Sequence, residues 1–180
     1  MGDVAGRTVR VLASADTGVL EDFLAAHADT SLFLRSNLRA GGIVDRGEPY
    51  QATWAGAFEG GRIAAVAAHC WNGNLLLQAP GHLDIVVRCA IAASSRAVVG
   101  LIGRWAQLRA ARVLPGMPRV ARLVSRSILM GLDLRSLRVP AALGEGPLVC
   151  RPLRDADVEL ATTWRIARSE ERRVGKECRL

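Results

Sequence analysis

ATWAGAFEGGRIAAVAAHCWNGNLLLQA, residues 52–79, decides how this chain is read. Ala52 to Glu59 alternates small and aromatic residues, the period of two that belongs to a strand. Gly60-Gly61 tolerates positive φ and suits a two-residue hairpin. Arg62 to Trp71 is almost wholly apolar, as befits a central strand covered on both faces. Asn72-Gly73 is the strongest short hairpin signal in the chain. A third strand, Asn74 to Ala79, stops at Pro80, which has no N–H to give to a central ladder. Gly81 to Ser95 then reads as a helix, with Leu83, Val86, Val87, Ala90 and Ile91 on one face. The unit is an antiparallel meander whose last strand feeds a helix N-terminus. Chemistry in this half of the chain would sit at that junction.

Upstream, Thr8 to Ala13 reads as a short strand. Ser14, Asp16 and Thr17 offer cap oxygens to a helix over 17–27, whose apolar face is Val19, Leu20, Phe23 and Leu24. A second helix covers about 31–40, with Leu32, Phe33 and Leu38 expected inward and Gly41-Gly42 stopping it. Residues 43–51 form a polar loop. Downstream, Ala97 to Gly103 is expected as a buried strand and Arg104 to Leu114 as a helix with Trp105 and Leu108 inward. Pro115-Gly116-Met117-Pro118 breaks it. A short helix over 119–125 and a closing strand from Ser127 to Leu134 follow. Residues 139–147 are a linker punctuated by Pro and Gly. Beyond it the opening pattern recurs at an offset of 141 residues: Arg10, Leu12, Ala15 and Asp16 align with Arg151, Leu153, Ala156 and Asp157, and Phe23 with Trp164. The recurrence implies a second copy of the first fold.

Half of the 180 residues are hydrophobic, enough for one core and part of another. No run of 18 apolar residues or signal-peptide core occurs, so no membrane is expected and the cytoplasm is the default location. Cys70, Cys89, Cys150 and Cys178 lie far apart without a CxxC pair, and His27, His69 and His82 lack ligand spacing, so no metal site is expected. The net charge is +7, and all but one of the 24 basic residues are Arg. Residues 104–138 hold eight Arg against a single acid, Asp133. Arg119, Arg122 and Arg126 fall at helical spacing as a stripe, which is either a solvated face or a contact for phosphate or an acidic partner surface. Aromatic residues make up 4% and no nucleic-acid-reading motif occurs, so nucleic acid is not the expected partner.

The element order and the strings SLFLRSNLRAGG, GAFEGGRIAAVAAH, WNGNLLLQAP and GLDLRSLRVP resemble the GNAT superfamily of N-acetyltransferases, and the N-terminal half of its tandem-domain members. RPLRDADVELATTWRIA looks like the start of the catalytic domain that follows in such proteins. The resemblance implies an α+β fold, a GNAT-like mixed and mostly antiparallel sheet flanked by helices, then a strand-helix stub of a second copy. It divides the chain into an N-terminal GNAT-like domain at 1–138, a linker at 139–147 and the start of a truncated catalytic domain at 148–167. Residues 168–180 read as a foreign or disordered tail, because RSEERRVGKECR resembles vector or adaptor sequence translated in frame.

The resemblance further implies acetyl-CoA as co-substrate and an amine of unknown identity as acceptor. The cofactor motif of the superfamily, Q/R-x-x-G-x-G/A, falls on Gln78-Ala79-Pro80-Gly81-His82-Leu83. Gln78, Gly81 and the N–H groups of His82 and Leu83 would then cradle the pyrophosphate at a helix N-terminus. Leu83 departs from the motif with a bulky side chain, and Pro80 removes a donor. An ordinary Pro-Gly turn is the other reading of the same residues. Catalytic residues are not assignable: Glu59 ends a hairpin, His69 lies within an apolar strand and Tyr50 lies on a loop. Two functions follow. The chain is an N-acetyltransferase fragment with its catalytic domain largely missing, or a non-catalytic module that does not bind acetyl-CoA and packs against its own catalytic domain or another partner.

Overall fold

The computed structural model describes residues 7–118, 120–128 and 130–177. The expected Arg119 contact lies outside them. The chain divides into two units, Met1–Leu129 and Met130–Leu180.

The first unit is built on one five-stranded sheet in the order β1-β2-β3-β4-β5. The strands are β1 (Arg7–Val11), β2 (Ala52–Glu59), β3 (Arg62–Cys70), β4 (Asn74–Gln78) and β5 (Gly100–Gly103). The meander forms as its turns dictate. Gly60, Gly61 and Gly73 take φ of 54°, 80° and 77°, the left-handed region that side chains avoid. The first turn sets Glu59 opposite Arg62, and a bulge at Ala57/Phe58 shifts the register so that Ala52 meets Cys70. β1 runs antiparallel along β2, with Arg7 opposite Glu59 and Val11 opposite Ala55. β5 is the one parallel member, with Asn74 to Leu77 paired to Gly100 to Gly103. The crossover that a parallel neighbour requires is supplied by the helix α3 (Leu83–Ser94).

Helices cover both sheet faces. After a 3-10 turn at Ser14–Asp16, α1 (Thr17–Ala26) and α2 (Leu32–Gly41) bury Leu20, Leu24, Leu34 and Leu38 against Trp54, Val66, Ala68, Cys70 and Leu76. Leu20 and Leu24 are fully buried, worth about 2 kcal/mol each. On the other face α3 and α4 (Trp105–Ala111) bring Val86, Val87, Ala90 and Ala111 onto Ala55, Ala57, Ala65, Ala67, Leu75 and Leu77.

Several expectations need correction. Leu32 and Phe33 are 66% and 62% exposed, and Leu34 takes the inward place beside Leu38. Trp105 is exposed, and Gln107 and Ala111 are the buried residues of α4. β5 is a half-buried edge strand rather than a buried one, because no strand pairs with its outer side among the described residues. The short helix over 119–125 and the closing strand over Ser127–Leu134 do not form among the described residues; a 3-10 turn at Leu134–Ser136 is the first regular structure after α4.

The second unit holds that turn, a short helix α5 (Ala141–Gly144) inside the expected linker, a 3-10 turn at Asp155–Asp157 and α6 (Val158–Glu177). α6 carries helical backbone to Glu177, past residue 168 and into the stretch read as a tail. The remaining residues 178–180 are outside the described part.

The sequence recurrence is matched bond for bond. In the first unit Arg10 donates twice to the Asp16 carboxylate, at 2.6 and 2.6 Å, and the Ala13 N–H donates to Asp16 Oδ2 at 2.8 Å. In the second unit Arg151 donates twice to Asp157, and the Arg154 N–H donates to Asp157 Oδ2 at 2.8 Å. Both arginines also reach the next carbonyl, Val11 O and Pro152 O. Each Asp thereby clamps a strand-like segment to the turn that opens a helix. Among the described residues no helix is long and apolar enough to cross a membrane.

Candidate functional site

The β4–α3 junction is short. Gln78 ends β4, residues 79–82 turn, and His82 stands as the N-cap of α3 with φ 53°. The alternation of β4 sends Leu75, Leu77 and Ala79 toward α3 and α4. Gln78 therefore points to the opposite face. There its Oε1 accepts from Thr30 Oγ at 3.0 Å, in the connection between α1 and α2. Gln78 is fully buried, and its Nε2 has no partner among the described residues. The four residues matched to the cofactor motif thus divide between the two faces: Gln78 joins the α1–α2 side, while Gly81, His82 and Leu83 stay at the start of α3.

Acidic groups of the protein itself stand near the start of α3, whose cap residue His82 makes no side-chain hydrogen bond to the helix. His82 Nε2 lies 2.6 Å from Glu59 Oε1, which ties the helix cap to the β2–β3 hairpin. Asp84 adds a second carboxylate in the first turn. Acidic side chains there satisfy the partial positive charge of a helix N-terminus. One turn earlier, the Ala79 N–H donates to Gln107 Oε1 at 3.1 Å, a buried bond from α4. Leu83 packs against the core of the α3 side. Gly81 faces open space: a Cβ built there meets no atom within 4 Å.

No family model, curated protein or solved structure matches this chain.

The remaining titratable groups act as ties. Asp45, in the loop between α2 and β2, accepts from Arg96 at 2.7 and 2.8 Å, from Thr53 Oγ at 2.6 Å and from the Gly47 N–H at 3.0 Å. The Arg96 guanidinium holds the Asp45 carboxyl down at about 2. Arg96 also donates to His69 O at 3.1 Å, so one guanidinium joins the loop, β3 and the α3–β5 connection. His69 is fully buried, with Nδ1 2.7 Å from Ser94 Oγ at the end of α3. Burial lowers its pKa, so the ring stays neutral. Burial pushes the Cys70 thiol up to about 11 and also raises that of Cys89, which leaves neither as a thiolate at neutral pH. Tyr50 stacks at 5.3 Å from Trp71, away from the junction. Among the described residues no group of three or more His, Cys, Asp or Glu is placed to hold a metal ion.

A cleft of about 470 Å³ lies on the α1–α2 side of β4 and β5 and includes Thr30, the hydrogen-bond partner of Gln78. Thr30, Phe33, Leu76, Ile102 and Trp105 line it, together with Arg126, whose guanidinium stands 5.8 Å from the Trp105 ring centre. The exposed Phe33 and Leu32 are explained here: both form its wall. Among the described residues Asp29 is its single carboxylate, and no His, Cys or Tyr lines it. It has shape and apolar surface, and its polar side chains are Asp29, Thr30, Ser125 and Ser127 beside Arg104 and Arg126. Sequence reasoning missed Gln107 and the Asp45–Arg96 tie. A Gln within an Arg-rich helix and an Asp in a polar loop carry no spacing signal, since their partners lie 28 and 51 residues away.

Proposed function

We propose that residues 1–138 form a non-catalytic GNAT-like domain of a parent N-acetyltransferase, and that residues 148–167 open the catalytic copy. In the parent, an amine nitrogen attacks the thioester carbonyl of acetyl-CoA. The C–S bond breaks, and the proton lost by nitrogen goes to the departing thiolate. The first domain takes no part in this reaction and serves as a packing partner for the second. A cytoplasmic location goes with this reading.

The GNAT-like origin is supported by the strand order, with β5 alone parallel, and by the Arg–Asp clamp repeated at an offset of 141 residues. The observation that carries the non-catalytic assignment is the α3 N-terminus. A pyrophosphate there would meet Glu59, held on the His82 cap, and Asp84 in the first turn. Like charge at that place opposes what the helix dipole would otherwise favour.

Calorimetric titration of acetyl-CoA tests the assignment. The expected result is no saturation below the millimolar range and no turnover with polyamine or peptide acceptors. The open space at Gly81 provides the control, because a Cβ placed there meets no atom within 4 Å and Gly81→Trp adds its bulk where the pyrophosphate would sit. A micromolar dissociation constant that disappears in Gly81→Trp would make the first domain a cofactor site, with Gly81 and the N–H groups of His82 and Leu83 as its cradle.

A further inference from the structure

A second cleft, of about 550 Å³, lies between α4, the outer side of β5 and a strap to which Met117, Pro118 and residues 120–125 contribute. Its size is that of a small-molecule pocket. It is distinct from the β4–α3 junction and stands or falls independently of the acetyl-CoA reading. Leu101, Leu108 and Met117 form its floor, packing on the α3-side core from beneath. Arg109, Arg112 and Arg122 also line it, and among the described residues no Asp or Glu does. None of the three guanidiniums has an ion-pair partner among the described residues. The strap leaves Val120, Leu123 and Val124 80%, 82% and 56% exposed, and no backbone hydrogen bond ties residues 120–128 among the described residues.

We propose that this cleft binds a small amphipathic anion, with an aliphatic body on the apolar floor and an anionic oxygen headgroup on the guanidiniums. A medium-chain carboxylate is the simplest member of the class. An apolar concavity alone would accept any oily molecule. Three unpaired guanidiniums alone would be a solvated surface. Together, in one cleft without a competing acid, they select a ligand that carries both an apolar chain and a negative charge. Such a ligand also covers the strap's exposed Val and Leu side chains, which nothing else among the lining residues does.

The test uses the full chain and four probes, hexanoate, octanoate, decanoate and decanol, followed by calorimetry and by Trp105 fluorescence. Affinity is expected to rise by up to about fourfold per added methylene, as burial of apolar surface requires. Decanol should bind at least about tenfold more weakly than decanoate, the loss of one charged hydrogen bond. Arg112→Gln with Arg122→Gln should bring decanoate down to the level of decanol without changing the unfolding midpoint, since both side chains are exposed and unpaired. Leu123→Asp, at another exposed position, should weaken decanoate and decanol alike. A flat chain-length series in which acetate or inorganic phosphate competes equally would reduce the cleft to a basic surface and overturn the proposal. So would equal binding of decanoate and decanol by the unaltered protein, or an unchanged decanoate affinity in the double Arg variant.

Discussion

Asp45 shows how one side chain can fix a loop that has no regular structure. Its two oxygens serve Arg96, Thr53 and the Gly47 N–H, so the 43–51 loop is anchored to β2 and to the α3–β5 connection at once. Charged hydrogen bonds of this kind are worth about 1.5–3 kcal/mol. Asp45→Asn should therefore lower the unfolding free energy by about 2 kcal/mol at pH 7. The pH dependence follows from the depressed folded-state pKa of about 2. An unfolded Asp titrates near about 3.9. The tie thus contributes fully above that value and is lost as pH falls through the interval between the two. Denaturant melts at pH 7 and pH 2.5 should show the gap between wild type and Asp45→Asn closing. A gap that persists undiminished at pH 2.5 would mean that the carboxylate is not what stabilises the loop.

At the scale of elements, α4 is held to the sheet by a bond that sequence inspection does not anticipate. Gln107 accepts from the Ala79 N–H just past β4, where Pro80 ends the ladder. Gln107→Leu leaves that buried N–H without its partner, which costs about 1–3 kcal/mol. Urea unfolding measures this, and an unchanged midpoint would show that another acceptor replaces it. The contrast with the meander explains what was legible in the sequence. Gly60-Gly61 and Asn72-Gly73 specify β2, β3 and β4 because a hairpin's register is written in adjacent residues. The junction was located for the same reason. Its chemistry was not, because Gln78, Glu59 and Gln107 acquire their roles from residues distant in sequence. The face of α2 was misjudged because Leu32, Phe33, Leu34 and Leu38 allow two phases on so short a helix, and the cleft rather than the core takes Leu32 and Phe33. Ile128, Met130, Leu132 and Leu134 alternate as a strand would, but alternation is a local property and a ladder needs a partner.

At the scale of the whole molecule, the chain has a firmly tied part and a part with few ties. Helices and strands follow one another closely up to Ala111, whereas residues 120–128 and the segment up to Leu134 carry exposed apolar and Arg side chains without regular structure among the described residues. Trypsin should therefore cut first after Arg122, Arg126, Arg135 or Arg138, and mass spectrometry of a time course should show a resistant fragment that ends in this region. Early cleavage after Arg35, Arg62 or Arg88 would contradict this division.

The face of the sheet beneath α3 is paved with Ala55, Ala57, Ala65 and Ala67, each at most 2% exposed. Most cores are vulnerable to subtraction, since trimming a large side chain leaves a hole. Here there is almost nothing to trim. The vulnerability is to addition: each extra methyl group has to lift α3 off the sheet or bend a strand, at about 1–3 kcal/mol. A saturation library of this region would then show an inverted profile, in which glycine and serine survive at the four alanines while leucine, elsewhere the safest of core residues, is eliminated.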